Sequence, residues 1–292
     1  MRPEVRVLYH PPRFAVDDHR RRRVLAARLR EVALDRAREL IKPYTVRQDV
    51  LGVYLLGSSS RPYRDHLSDY DFEVVIADEA YPKIPREELL VFTMNEGPPR
   101  RVDHEFYLRP LSELERHVDS PHDVFHGSYR HAIVLHDPQG ILRPLIERLA
   151  ELPEHVREAR IRVHYLEVYE GIARGRKTLQ RASQSQGNVQ LLLGEARRAL
   201  VKLQFLQMRL WPMPWHWAKE ELDLAGACDE PRVALDSAID GPSAETLRGA
   251  LDTLNAWLTS AGETFHEDVR ALFDWLYLTP EGKAAHHRWA AR

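Results

Sequence analysis

Gly57-Ser58-Ser59-Ser60, followed by Ser68-Asp69-Tyr70-Asp71-Phe72-Glu73-Val74-Val75-Ile76, decides how this chain is read; ten residues separate Ser58 from Asp69. The acids at 69, 71 and 73 alternate with Tyr70, Phe72 and Val74. A period of two means a strand with one carboxylate face and one apolar face. Upstream, the apolar strand pattern Val50–Leu56 runs straight into Gly57-Ser58. Downstream, Leu89–Met94 and Arg101–Tyr107 flank Gly97-Pro98-Pro99, the signature of a strand pair joined by a turn. A short apolar run, Ala132–Leu135, precedes Asp137-Pro138-Gln139-Gly140.

Helical spacing brackets these strands. Leu25, Leu29, Val32, Ala33 and Leu40 predict a helix over 15–41, stopped by Pro43. Leu111–Val118 and Leu142–Leu149 also read as helices. After Pro153 the strand signals fade, and 154–182, 188–210, 215–224, 243–261 and 264–277 are all helical patterns. The expected fold class is α+β: a mixed β-sheet domain over 1–150, then an all-α helical domain over 151–292.

Composition narrows the function classes. The chain has 292 residues, 43% hydrophobic and 29% charged, which is enough for a sizeable core. No apolar run approaches the ~20 residues of a membrane span, and the first residues lack the apolar stretch of a signal peptide. One cysteine, Cys228, allows neither an internal disulfide nor a cysteine zinc cage. The expected compartment is the cytoplasm, with no membrane partner. The formal net charge of -2 speaks against a duplex nucleic acid partner, which would call for a basic surface. The Arg20–Arg23 run reads as a solvated helix face.

The carboxylates carry the chemistry. Nucleotidyl and phosphoryl transfer depend on positioning and charge neutralisation rather than on covalent work by side chains. Two Mg²⁺ ions roughly 3.5–4 Å apart can clamp the attacking and leaving oxygens. Asp69 and Asp71, at i and i+2 of one strand, project to one side, and a third acid from Arg101-Val102-Asp103-His104-Glu105 can complete the set. Asp103 and Glu105 share a face, so either fills that place. The small Gly57-Ser58 turn lets backbone N–H groups and a hydroxyl approach a triphosphate.

Leu56-Gly57-Ser58…Ser68-Asp69-Tyr70-Asp71 with Val102-Asp103 resembles the nucleotidyltransferase superfamily that includes DNA polymerase beta and the antibiotic nucleotidyltransferases. The resemblance covers 50–110 well and 25–150 loosely, and Pro62 departs from the glycine usual there. It implies that Asp69, Asp71 and Asp103 are metal ligands, with Asp103 preferred over Glu105 as third carboxylate and general base. It implies that Gly57, Ser58, Ser59 and Arg61 bind nucleotide. Glu73 is then a neighbour of the ligands or a solvent-facing residue. The implied activity is Mg²⁺-dependent transfer (Mn²⁺ as the alternative ion) of a nucleoside monophosphate from ATP or another NTP. The acceptor would be a hydroxyl on a small molecule, aminoglycoside-like in some relatives, with the nucleotide held between the domains. Relatives also share active sites across a homodimer. The other readings are a non-catalytic nucleotide-sensing or antitoxin-like protein that keeps the fold, and a template-independent RNA nucleotidyltransferase.

The second half segregates charge. Residues 155–219 hold twelve Lys/Arg and four Asp/Glu; 220–274 hold three Lys/Arg and thirteen Asp/Glu. The acidic stretch could gather a cationic acceptor, but the simpler expectation is that the two groups of helices pack and neutralise each other. Arg209-Leu210-Trp211-Pro212-Met213-Pro214-Trp215 is expected to pack in the core. His122, His126, His131 and His136 crowd one region without a zinc-type spacing.

Overall fold

Strand β1 (Val50–Leu56) sits near the middle of a five-stranded sheet in a computed structural model of the chain. The structure describes residues 31 and 33–289, except 63, 65–67, 96–100, 182–185, 214–216 and 266–267. Most of the expected 15–41 helix, the Arg20–Arg23 run and the Gly97-Pro98-Pro99 turn lie outside the described residues. The chain divides into two compact units, Met1–Leu114 with His131–Arg143 and Glu115–Arg130 with Pro144–Arg292. The architecture is α+β, a mixed sheet with helices followed by a helical region.

In the first unit the sheet order is β3 (Leu90–Met94), β4 (Val102–Pro110), β2 (Tyr70–Ile76), β1 and β5 (Ile133–His136). β1 runs antiparallel to β2 and β5, β2 parallel to β4, and β3 antiparallel to β4. Period-two alternation sorts the two faces. Tyr70, Phe72 and Val74 of β2, Val53 and Leu55 of β1, and Phe106 and Leu108 of β4 form one core. Ala33, Ala37 and Ile41 cover it from helix α1 (33–40) and the residue after it. Phe72 and Phe106 stack there at 4.7 Å between ring centroids. The opposite face carries Asp71, Glu73, Glu105 and Tyr107.

Pro43 does not stop the chain's helical course outright. It occupies the first turn of a short helix α2 (Lys42–Thr45), where a missing N–H costs nothing. Helix α3 (Leu111–His117) follows β4, and α4 (Leu142–Ala150) follows β5. Asp137 starts α4: its carboxylate accepts from the N–H groups of Ile141, Leu142 and Arg143 at 2.9–3.1 Å, which satisfies donors at a helix start. Leu142 then packs onto Gly52 of β1, where a Cβ would collide with it.

The second unit is built on α5 (Glu154–Gln180) and α6 (Gln186–Gln207), with α7 (Ala218–Ala225), α8 (Glu230–Asp240), α9 (Ala244–Phe265), α10 (Val269–Leu278) and α11 (Pro280–Trp289). Leu166, Leu193, Leu200, Leu203, Leu251 and Leu254 are among its buried core. Helices α8 and α11 were not read from the sequence, for one physical reason. Their buried positions are not a stripe of large apolar residues. In α8 they include Arg232, which reaches Asp223 at 3.0 Å and Gln204 at 2.8 Å. In α11 they are Gly282, Ala285 and Trp289.

The segregated charges pair across this unit. Arg176 of α5 meets Asp252 of α9 at 2.7 Å, and Arg197 of α6 meets Asp236 of α8 at 2.7 Å. Exposed pairs of this kind contribute about 0–1 kcal/mol each. Trp211 and Met213 are buried; Trp211 donates to the Glu151 carbonyl and stacks on His126 at 4.0 Å. No helix among the described residues is long and apolar enough to cross a membrane.

Phe72 is 1% exposed at the centre of the sheet core. Phe72→Ala should lower the unfolding free energy by about 3–5 kcal/mol in urea titrations, because the cavity lies between packed strands and a helix.

Candidate active site

The turn after β1 shapes the site. Gly57 has φ 63 and ψ −153, a conformation that a side chain would strain, and leads into a single 3₁₀ turn, Ser58–Ser60. A Cβ on Gly57 would collide with Oδ2 of Asp71. Glycine is therefore required twice here, for the backbone angle and for the carboxyl seated against it. The three serines divide the remaining work. Ser59 Oγ donates to the Asp69 carbonyl, tying the turn to the start of β2. Ser60 Oγ donates to the Gly57 carbonyl at 3.0 Å and closes the turn. Ser58 is 8% exposed, and its buried Oγ has no hydrogen-bond partner among the described residues. A buried hydroxyl left so costs about 1–3 kcal/mol, which a ligand oxygen would recover.

Register assembles the acids. Leu56 of β1 pairs with Asp71 of β2, and Asp71 with Glu105 of β4. Direct register partners share a face, so Asp71 and Glu105 are side-by-side neighbours on adjacent strands about 5 Å apart. They are close enough for a side-chain hydrogen bond. Asp71 is pushed up to about 7, first by burial, then by the charges of Asp69 and Glu105; Arg61 opposes the shift. Arg61 is 2% exposed, so its guanidinium works from within the protein on the Asp71 carboxyl.

Asp103 goes elsewhere. Its carboxylate takes Arg36 Nη2 at 2.6 Å and His104 Nδ1 at 2.9 Å. Burial raises its pKa, but the hydrogen bonds from His104 and Arg36 outweigh this and hold it below the usual carboxylate range. Arg36 belongs to α1, on the face opposite Asp71, and its guanidinium lies 5.6 Å from the Tyr70 ring centre. Of the two acids on β4, the structure brings Glu105 to Asp71 and gives Asp103 to the helix.

Glu73, two residues from Asp71 on the same face of β2, is not solvent-facing. Its side chain is 14% exposed, held by Arg109 Nε at 2.9 Å and by the Tyr54 hydroxyl. Burial raises its pKa against the pull of Arg109 and Tyr54. Arg109 also reaches Glu113 at 2.6 Å. Arg36, Tyr54 and Arg109 escaped the sequence reading. Continuing the period of two along β4 through 103, 105, 107 and 109 would have found Arg109; nothing local in the sequence points to Arg36.

Among the described residues, no three His, Cys, Asp or Glu side chains stand as a ready-made metal-ligating group. Asp71 and Glu105 instead sit as a hydrogen-bonded acid pair with the Asp69 charge nearby. The donors are nonetheless hard oxygens of the kind Mg²⁺ takes. A divalent charge would also remove the repulsion that pushes Asp71 up. The residues present therefore fit such an ion.

No family model matches the chain, and no curated protein matches it. Among solved structures, it is similar to a nucleotidyltransferase-like protein from Exiguobacterium sibiricum 255-15. The identity is 14%, the match covers 79% of this chain and 77% of that one, and the TM-score is 0.43.

The acid pair has a pH signature. Asp71 keeps its proton in the folded state up to about 7, while the unfolded chain releases it near 3.8. Its contribution to stability is full below the unfolded value and is lost as pH rises through the folded one. Asp71→Asn, which cannot ionise, should match the wild type near pH 3 and exceed it at pH 8 by on the order of 4 kcal/mol. Thermal unfolding in chelator at both pH values measures this; a variant less stable at pH 8 would contradict it.

Proposed function

We propose that the protein is a metal-dependent nucleotidyltransferase, moving a nucleoside monophosphate from ATP or another NTP to a hydroxyl of an acceptor molecule. The observation that carries the reading is the contact of Gly57 with Asp71. A carboxyl is seated on the glycine of a Gly-Ser turn, flanked by the charges of Asp69 and Glu105. Burying like charges together is costly for a fold. The cost makes sense where a cation and a polyphosphate complete the group.

Asp69, Asp71 and Glu105 would hold the ions, Mg²⁺ or Mn²⁺. When bound, these ions would neutralise charge on the α-phosphate and on the leaving pyrophosphate. Ser58 Oγ and the backbone N–H groups of the turn would hold phosphate oxygens. Ser59 and Arg61 act at one remove, Ser59 by fixing the Asp69 backbone and Arg61 by its charge on Asp71. In the transfer, an acceptor oxygen forms a bond to the α-phosphorus and the bond to the β-phosphate oxygen breaks. The hydroxyl proton passes to a carboxylate, and pyrophosphate leaves.

Glu105 is the better base of the two acids on β4. Asp103 is held in its ionised form by Arg36 and His104, and a carboxylate stabilised in that way is a weaker proton acceptor. This reverses the sequence preference for Asp103.

Calorimetric titration of ATP, with and without Mg²⁺, tests the site first. Wild type should bind ATP in a Mg²⁺-dependent way and Asp71→Asn should not. With an acceptor in hand, Asp71→Asn and Glu105→Gln should each lower kcat at least about 100-fold. Asp103→Asn should lower it less than about tenfold. An Asp103 variant as damaged as the Asp71 variant would return the third role to Asp103.

A further inference from the structure

We infer that the acceptor presents a flat apolar ring beside its reacting hydroxyl, and that Phe92 on the sheet edge is the platform for that ring. The inference rests on the nucleotidyl-transfer reading and names its substrate class.

The sheet register supplies the geometry. Phe92 of β3 is the direct partner of Glu105 of β4, which is the direct partner of Asp71 of β2. Leu56 of β1, the residue before Gly57, completes the row. All four side chains lie on one face. At about 4.8 Å per strand, Phe92 lies about 10 Å along the sheet from Asp71. Phe92 is 58% exposed, and Leu90, two residues away on the same face, is 49% exposed. Leu90 is in turn the partner of Tyr107, whose ring carries the Arg109 guanidinium at 4.7 Å. An exposed aromatic and an exposed leucine thus stand at one end of the row whose other end is the Gly-Ser turn.

The direction of the reaction says which substrate meets them. Attacking and leaving oxygens lie on opposite sides of the phosphorus in an in-line transfer. The buried Ser58 hydroxyl, without a partner among the described residues, would take phosphate oxygens and so set the leaving pyrophosphate toward the turn at the end of β1. The attacking oxygen then comes from the β4 side, over Glu105, and the body of the acceptor extends over β3. Phe92 offers that body a ring face with no charge. An aromatic or similarly flat group stacks on such a face. This departs from the aminoglycoside-like acceptor that the sequence resemblance implied.

The test uses the full chain with Mg²⁺ and α,β-methylene-ATP, which cannot release pyrophosphate. The probes are phenyl β-D-glucoside, which places a ring beside hydroxyls, and methyl β-D-glucoside, which keeps the hydroxyls and lacks the ring. Saturation-transfer NMR titrations give the affinity of each. The phenyl compound should bind the wild type more tightly than the methyl compound, by about three- to tenfold. Phe92→Ala should abolish that difference, and Phe92→Tyr should restore it. Nucleotide affinity, read by calorimetry on the same samples, should be unchanged in both variants. Equal binding of the two glucosides to wild type, no binding of the phenyl compound, or ring binding undiminished in Phe92→Ala overturns the inference. So does a wild-type dimer in sedimentation equilibrium that Phe92→Asp converts to monomer, since a second copy would then cover this edge. Failure of the nucleotide itself to bind wild type would overturn the transfer reading, and is seen separately from the ring preference.

Discussion

Asp71 places its carboxyl in the space that a side chain at Gly57 would fill, and the candidate site depends on that contact. It fixes the identity of residue 57, the left-handed backbone there, and the position of the Ser58–Ser60 turn. It also keeps Asp71 out of water, so that the charges of Asp69 and Glu105 act on it with little screening. The buried Arg61 offsets only part of this. The cluster is thus an electrostatic demand built into the end of two strands, and the proposed ions and polyphosphate are the chemistry that answers it.

The two faces of the sheet have separate tasks. One is sealed by Phe72, Phe106 and the small residues of α1, which let the helix approach the strands closely. The other carries the acids and is stiffened by Arg109, which joins Glu73 to Glu113. Asp103 stands where the tasks meet. Its position in β4 gives it the same parity as Glu105, yet Arg36 of α1 and the neighbouring His104 satisfy it locally. Two acids of equal rank in the sequence thereby receive different environments, one ionised and occupied, the other set against a second carboxyl.

In the helical unit, charge does a structural job. The basic and acidic stretches meet in pairs such as Arg176–Asp252 and Arg197–Asp236. The buried Arg232 of α8, bound to Asp223 and Gln204, occupies a place where an apolar residue would have marked the helix. Polar residues that pack inside remove the periodic signal by which a helix is read, which is why α8 and α11 were legible only in three dimensions.

Local pattern determined a good deal. The alternation through residues 69–76 and the apolar run 50–56 were sufficient for β2 and β1, because a strand's two faces repeat every second residue. The same alternation gave Asp103 and Glu105 one parity on β4, which holds for Glu105 beside Asp71 but not for Asp103, where the β3–β4 register shifts and Arg36 of α1 takes the carboxylate. Long helices such as α5 and α6 were legible from their apolar spacing. What the sequence could not contain was the lateral order of the strands and the reach of Arg36 across 67 residues to Asp103. Register between strands is set by packing and by long-range hydrogen bonding, not by either strand alone. Only the tertiary structure could therefore put Glu105 and Phe92 in line with Asp71, and draw Asp103 to a helix on the far side of the sheet.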